Sequence, residues 1–346
     1  MFPYAFKACS LVGMLMGGGA IMLCAAPSAG AEAPDPGADI DAVGGKAETP
    51  TAPESDARIL RTIPPNSVKA DGSIDHEALI ARQKQRVEIM NSRFGFQLKI
   101  TETPHYLVVS DANRAMTDQF AKWGETLYAN LCTLFGMQDS QRVWDAKCVL
   151  FVFDQRTTFD KFAAASGDRD SRRTAAYFVI ERYEKTIALV SILIPLGGSG
   201  MRQLQECLAH EGAHAFLELY RKPAALPLWL EEGLPEYVAT LNDKSLRQEK
   251  VAEATRFCES NRPLSRVLEA RTGDPISWND YCISMTVVDF LITAGKPKFK
   301  KFVDAIKDGQ RQEAALSAAY GFKSLELENR WRKYILDYLP RRSKTP

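Results

Sequence analysis

Two histidines four residues apart with a glutamate between them, in His210-Glu211-Gly212-Ala213-His214, are the residues of this 346-residue chain best suited to chemistry. On a helix, residues four apart stack on one face. Both imidazoles can then reach a single tetrahedral metal ion, for which zinc is the fitting choice. Glu211 sits one step round the helix, where its carboxylate reaches a water beside the ion and not the ion itself. The spacing therefore supplies two metal ligands and the general base of a metal-assisted hydrolysis. The chain holds only four histidines (His76, His105, His210 and His214), and half of them fall in this stretch. The alternative is a solvated helix face with two incidental histidines.

A catalytic zinc takes three protein ligands and keeps one position open. The segment Trp229-Leu230-Glu231-Glu232-Gly233-Leu234-Pro235-Glu236-Tyr237 can supply the third from a second helix packed on the first. Pro235 is tolerable only near a helix N-terminus, so this helix begins near Pro227 or restarts at Pro235. Together, H-E-x-x-H followed by Trp-Leu-x-Glu-Gly and an aromatic residue resembles the gluzincin zinc metallopeptidases, the peptidase-MA-like group that includes thermolysin and aminopeptidase N. That resemblance implies Glu232, immediately before the glycine, as the third ligand, with Glu231 a solvated neighbour. It also implies a supporting role for Glu236, one turn beyond Glu232 on the same face, because ligand histidines usually donate their second ring N–H to a carboxylate. Otherwise Glu236 is an ordinary surface glutamate.

A further match lies in Tyr281-Cys282-Ile283-Ser284, at the head of an apolar run reaching Leu291. Aminopeptidase-N-like enzymes carry a tyrosine at a similar place to stabilise the oxyanion of the tetrahedral intermediate. The resemblance gives Tyr281 that role, the alternative being a tyrosine that caps a core helix. This chain departs from those relatives at Cys282-Ile283-Ser284, where they tend to carry a Lys-Gly pair. The implied activity is peptide hydrolysis: His210, His214 and Glu232 hold Zn2+, and Glu211 moves the proton from water to the leaving amine. No Gly-x-Met-x-Asn element for a substrate's free amine occurs around Thr186 to Gly200, which favours an endopeptidase or an unassigned specificity over an aminopeptidase.

The elements that must position these groups are legible in the periodicity. Met201 to Tyr220 reads as the motif helix, with Leu204, Leu208, Ala215 and Leu219 on its apolar stripe. Ser73 to Arg93 and Met116 to Phe135 read as helices; His105 to Ser110, Cys148 to Phe153, Ala175 to Ile180 and Thr186 to Ser191 read as strands. Residues 181–185 form the hairpin connection between the last two. Ile187 to Ser191 runs into the motif helix and resembles the gluzincin cleft-edge strand, which pairs with an extended substrate; it equally reads as a core strand. After Tyr237 the pattern is almost entirely helical, with Phe302 to Lys307, Ala314 to Tyr320 and Leu325 to Tyr338 closing the chain. The run Ala319-Tyr320-Gly321-Phe322-Lys323-Ser324-Leu325, with Trp331 beyond it, looks like the closing part of peptidase-MA-like domains. The fold class expected is α+β: a small mixed or antiparallel β subdomain over 95–200 and a mainly helical subdomain over 201–340, flanking a zinc cleft.

Ahead of these lie a secretory signal peptide over 1–31, a disordered Ala/Pro-rich linker over 32–70 and an N-terminal helix over 71–94. The signal has Lys7 as its n-region, an apolar run from Leu11 to Cys24 and an A-x-A-type site at Ala29-Gly30-Ala31. An uncleaved anchor is the alternative. An extracytoplasmic protein with no membrane span after cleavage is expected. Outside the signal, Cys132, Cys148, Cys207, Cys258 and Cys282 are an odd set. Cys132 and Cys148 are placed to pair, and Cys207 reads as core. A formal net charge of +1 with mixed signs offers no basic stripe for nucleic acid, so the expected partner is a peptide or protein substrate. Two other readings stay open: a non-catalytic zinc-binding or scaffold protein of the same fold, and a zinc amidase acting on a non-peptide envelope substrate.

Overall fold

Three apolar segments, each continuous enough to be buried on both faces, make the centre of a five-stranded sheet. They are β2 (Tyr106–Ser110), β3 (Cys148–Phe153) and β5 (Ile187–Pro195), mutually parallel, with β1 (Lys99–Glu102) and β4 (Tyr177–Tyr183) added antiparallel at the two sides. The order is β1-β2-β3-β5-β4. The computed structural model describes residues 67–338 except 70, 139–140, 166–175, 184–186, 198 and 222–224. The signal peptide and most of the linker expected from the sequence lie outside the described residues.

Alternate side chains of these strands leave by opposite faces. On one face Leu107, Val109, Val149 and Leu193 pack under α1 (His76–Phe94) and α3 (Arg156–Ala165), through Val87, Met90, Phe159 and Phe162. On the other, Val108, Leu150, Val152, Ile192 and Ile194 join the main core beneath α2 (Arg114–Phe135) and α4 (Met201–Leu219). That second core runs on without a break into the helices that follow: α5 (Leu228–Thr240), α6 (Lys244–Glu259), the short α7 (Ser265–Leu268), α8 (Trp278–Thr293), α9 (Lys296–Lys307), α10 (Gln312–Tyr320) and α11 (Ser324–Lys333), which ends in a π-helical turn, Tyr334–Tyr338. The class is mixed helix and sheet, as expected, with the helices dominating the C-terminal half.

Three sequence expectations are corrected. First, β5 is not at the sheet's edge. It lies between β3 and β4, and β4 takes the outer position. The nine-residue run Ile187–Pro195 is apolar almost throughout, which suits two covered faces, whereas β4 ends in Glu181, Arg182 and Tyr183. Second, residues 181–183 belong to β4 and are not part of the connection. Third, Cys132 and Cys148 do not pair: none of the five described cysteines is in a disulfide. Cys148 is fully buried in the central strand, while Cys132 stays half-exposed on α2. Closeness to a helix end and a strand start does not supply the Cβ geometry a disulfide needs.

Candidate metal centre

Each element that carries a candidate ligand is held by a local feature of the sequence. β5 ends at Pro195, and α4 begins at Met201, with Gly200 in extended backbone before the first helical residue. Gly212 sits where α4 meets α2: a Cβ there would lie 2.3 Å from Leu127 Cδ2. α5 starts immediately after Pro227 and continues through Pro235, so the helix neither breaks nor restarts there. Trp229 anchors its first turn, with its indole donating to Gln312 Oε1 at 2.7 Å and its ring stacked on Phe302. α8 opens with a capping box, in which Ser277 Oγ accepts from the Asp280 backbone and Asp280 accepts from the Ser277 backbone. That cap sets the position of Tyr281 in the first turns of α8.

These supports bring His210, His214 and Glu232 together in the interior. The two Nε2 atoms stand 3.1 Å apart, and Glu232 Oε2 lies 3.7 Å from His210 Nε2 and 3.4 Å from His214 Nε2. A tetrahedral zinc with ligands at about 2.0–2.2 Å separates its donor atoms by roughly 3.3–3.6 Å. The observed spacings, from 3.1 to 3.7 Å, bracket that range, so small side-chain adjustments bring all three atoms onto such an ion. Among the described residues these three form the one group of histidine, cysteine and acidic side chains clustered closely enough to hold a metal. Glu231 is half-exposed and outside the cluster.

Glu211 is buried beside the ligands. Burial pushes its carboxyl up from the ordinary range, with His210 and His214 opposing and Glu232 reinforcing the shift. Its Oε2 finds no hydrogen-bond partner among the described residues. A buried carboxylate oxygen left unsatisfied is costly, and its place beside the ligand cluster is suited to a group that arrives with substrate or water. Glu236 is buried as well, and its Oε1 lies 3.1 Å from His210 Nδ1. Burial alone would raise its carboxyl; Lys250 and His210 outweigh that and hold it at about 2. Glu236 is thus a buried anion behind a candidate ligand and not a surface glutamate. Tyr281 is buried, its ring edge-on to His210 with centroids 6.4 Å apart.

Two residues near the site were not singled out from the sequence. Phe178 on β4 stacks nearly parallel on His214, with centroids 5.8 Å apart, and its backbone N–H is directed to the Glu211 carboxylate. Lys250 on α6 has its Nζ 2.5 Å from Glu236 Oε2. A signal for Lys250 was present: it occupies the same helical stripe as Leu246, Ala254, Phe257 and Cys258, all of them buried.

Residues 188–337, which include every candidate site residue named from the sequence, match the family model of the Peptidase MA superfamily. Over that span the chain is similar to the Peptidase MA superfamily. The similarity named from H-E-x-x-H and Trp-Leu-x-Glu-Gly is therefore supported by the whole segment. No curated protein matches the chain. Among solved structures, this Peptidase MA-like chain is similar to a mutant M1 zinc metallopeptidase from Deinococcus radiodurans, with 14% identity and a TM-score of 0.37. The match covers 69% of this chain and 52% of that one, so the chain spans about half the length of that structure. None of the helices among the described residues is long and apolar enough to cross a membrane.

Proposed function

We propose that the chain is a zinc-dependent peptidase that hydrolyses peptide bonds with water, with His210, His214 and Glu232 as ligands and Glu211 as general base. One observation carries the reading: two imidazole nitrogens and a carboxylate oxygen converge at tetrahedral spacing, with a buried, unsatisfied carboxylate alongside. Bound zinc supplies a Lewis acid that polarises the scissile carbonyl and lowers the pKa of water from near 16 toward about 7. Glu211 Oε2 accepts the proton of the attacking water and returns it to the leaving amine. The Tyr281 hydroxyl donates to the carbonyl oxygen as it gains charge. Glu236 holds His210 from behind through Nδ1.

The substrate enters in extended form along β4. That strand takes the outer place in the sheet and contributes both the ring on His214 and the N–H on Glu211. Edge pairing of this kind binds peptide backbone irrespective of sequence, with side-chain pockets adding preference. Export through the leader-like N-terminus, ahead of peptide hydrolysis outside the cytoplasm, belongs to the same proposal.

The test is zinc content per mole of purified protein, wild type beside Glu232→Ala, followed by hydrolysis of an unbiased peptide library. One zinc in the wild type, strongly weakened binding in the variant and cleavage that needs the metal are expected. A folded wild type that takes up no added zinc refutes the proposal. A zinc-loaded wild type that cleaves no peptide leaves the metal centre standing and removes the peptidase assignment.

A further inference from the structure

The α6 stripe carries an ammonium where its other members are apolar. Lys250 is fully buried, between Leu246 and Ala254 on a helix packed against α8. Its Nζ lies 2.5 Å from Glu236 Oε2 and 3.9 Å from the ring centroid of Trp278, the first residue of α8. Taking a cation out of water is costly unless a fixed anion compensates, and apolar residues of similar volume commonly do as well or better in such places. Packing alone therefore gives no reason for a lysine here. The reason lies in what its partner does with its second oxygen, since Glu236 Oε1 is the atom that faces His210 Nδ1.

The result is a chain of three charged or polar groups running from α6 through α5 to α4. Lys250 holds one carboxylate oxygen of Glu236; the other oxygen holds the ring of His210; the far nitrogen of that ring faces His214 and Glu232. Charge balance points the same way. Glu211, Glu232 and Glu236 are all buried within this small region, and Lys250 is the cation in direct contact with one of them. The Trp278 face adds a cation–π seat that keeps the ammonium in line. We propose that Lys250 is a positioning residue of the metal centre, acting through Glu236 to keep His210 turned with Nε2 toward the metal. The proposal rests on the zinc reading above and adds to it a residue that none of the motifs contains.

The experiment is a double-mutant cycle on zinc affinity in the full chain, measured by competition with a chromophoric chelator. The variants are Lys250→Met, Glu236→Gln and the two combined, each checked for folding by circular dichroism. Lys250→Met is expected to weaken zinc binding by about 10- to 100-fold, the usual range for supporting partners of a ligand. In the Glu236→Gln background the same change is expected to add less than about threefold, because the path through the carboxylate is already broken. Lys250→Arg keeps the charge and is expected to bind within about threefold of wild type, with the visible spectrum of the cobalt-loaded protein unchanged. It serves as the deciding variant if Lys250→Met does not fold. A purely structural lysine predicts an equal loss in both backgrounds, which would overturn the proposal. So would a folded Lys250→Met with wild-type affinity, or a folded Lys250→Arg as weak as Glu236→Gln. Failure of the wild type to bind zinc would refute this proposal together with the peptidase reading. Zinc-loaded wild type beside an unaffected Lys250→Met would refute this one alone.

Discussion

Gly233→Ala is a single-methyl change whose effect can be worked from contacts. A Cβ at Gly233 would lie 2.6 Å from the Ser284 carbonyl oxygen, 2.7 Å from its carbon and 3.0 Å from Ser284 Cβ. The first two are backbone atoms of α8, so no side chain can swing aside, and α5 and α8 must part by roughly 1 Å to reach ordinary contact. A gap of that size forfeits a quarter to a half of each affected dispersion contact. Overpacking against backbone belongs at the upper end of the usual 1–3 kcal/mol. The gain in helix propensity from glycine to alanine returns about 1 kcal/mol, leaving a net loss of about 2 kcal/mol. For a domain of this size that is a fall of about 4–8 °C in melting temperature. Because Glu232 precedes Gly233, the same displacement moves the third ligand, and zinc affinity is expected to drop about tenfold. Gly212→Ala is the internal control. The atom it meets is Leu127 Cδ2, the end of a side chain, so its melting temperature is expected to fall by less than half as much. Differential scanning calorimetry without zinc, with chelator competition for affinity, reads both. A Gly233→Ala protein that melts with the wild type and binds zinc equally would refute the argument that close approach of α5 and α8 sets the ligand.

Glu211→Gln is expected to keep zinc and to lower peptide hydrolysis by about 10²- to 10⁴-fold, the range general acid–base groups contribute; turnover within a few-fold of wild type would remove Glu211 as the base. Burial raises the Cys258 thiol to about 11 and the Cys282 thiol to about 12, so neither is expected to react with a disulfide reagent at pH 8 until the protein unfolds. The same shifts carry a sign for stability. Above about pH 9 the unfolded chain releases these protons while the folded chain retains them, so the melting temperature is expected to fall between pH 9 and pH 11. Rapid labelling of Cys282 in the native protein, or a melting temperature that rises over that interval, would count against the burial argument.

The parts of this structure that were legible in the sequence are those governed by local spacing. The motif helix runs Met201–Leu219 against an expected Met201 to Tyr220, and Cys148–Phe153 is the strand its residues describe. The order of strands was not legible, because pairing depends on which faces are covered. A closer reading of composition carries the answer even so: Ile187–Pro195 has the unbroken apolar character of a strand covered twice, while Tyr177–Tyr183 turns charged toward its end. In the candidate site, Glu232 and Glu236 followed from helical geometry and resemblance. Lys250 did not, because a lysine in a chain rich in them reads as solvent-facing unless its neighbours at three and four residues' distance are checked. Phe178 was unreadable for a different reason. Its role comes from a strand folding back over α4, a contact between residues far apart in the chain.

The two glycines beside the candidate ligands have a further consequence. Gly212 lets α2 press against α4, and Gly233 lets α8 press against α5, so each ligand helix is clamped by a further helix. Such clamping is supplied by the apolar core, which extends through both helices and well beyond them. In small zinc domains the ion's binding energy is the folding energy, and removing it unravels the chain. Here, by contrast, the apolar core is expected to fold the chain whether or not the candidate site holds a metal. On the zinc reading the ion would enter a scaffold already braced to receive it, and chelation followed by re-addition is expected to be a reversible exchange on a folded protein.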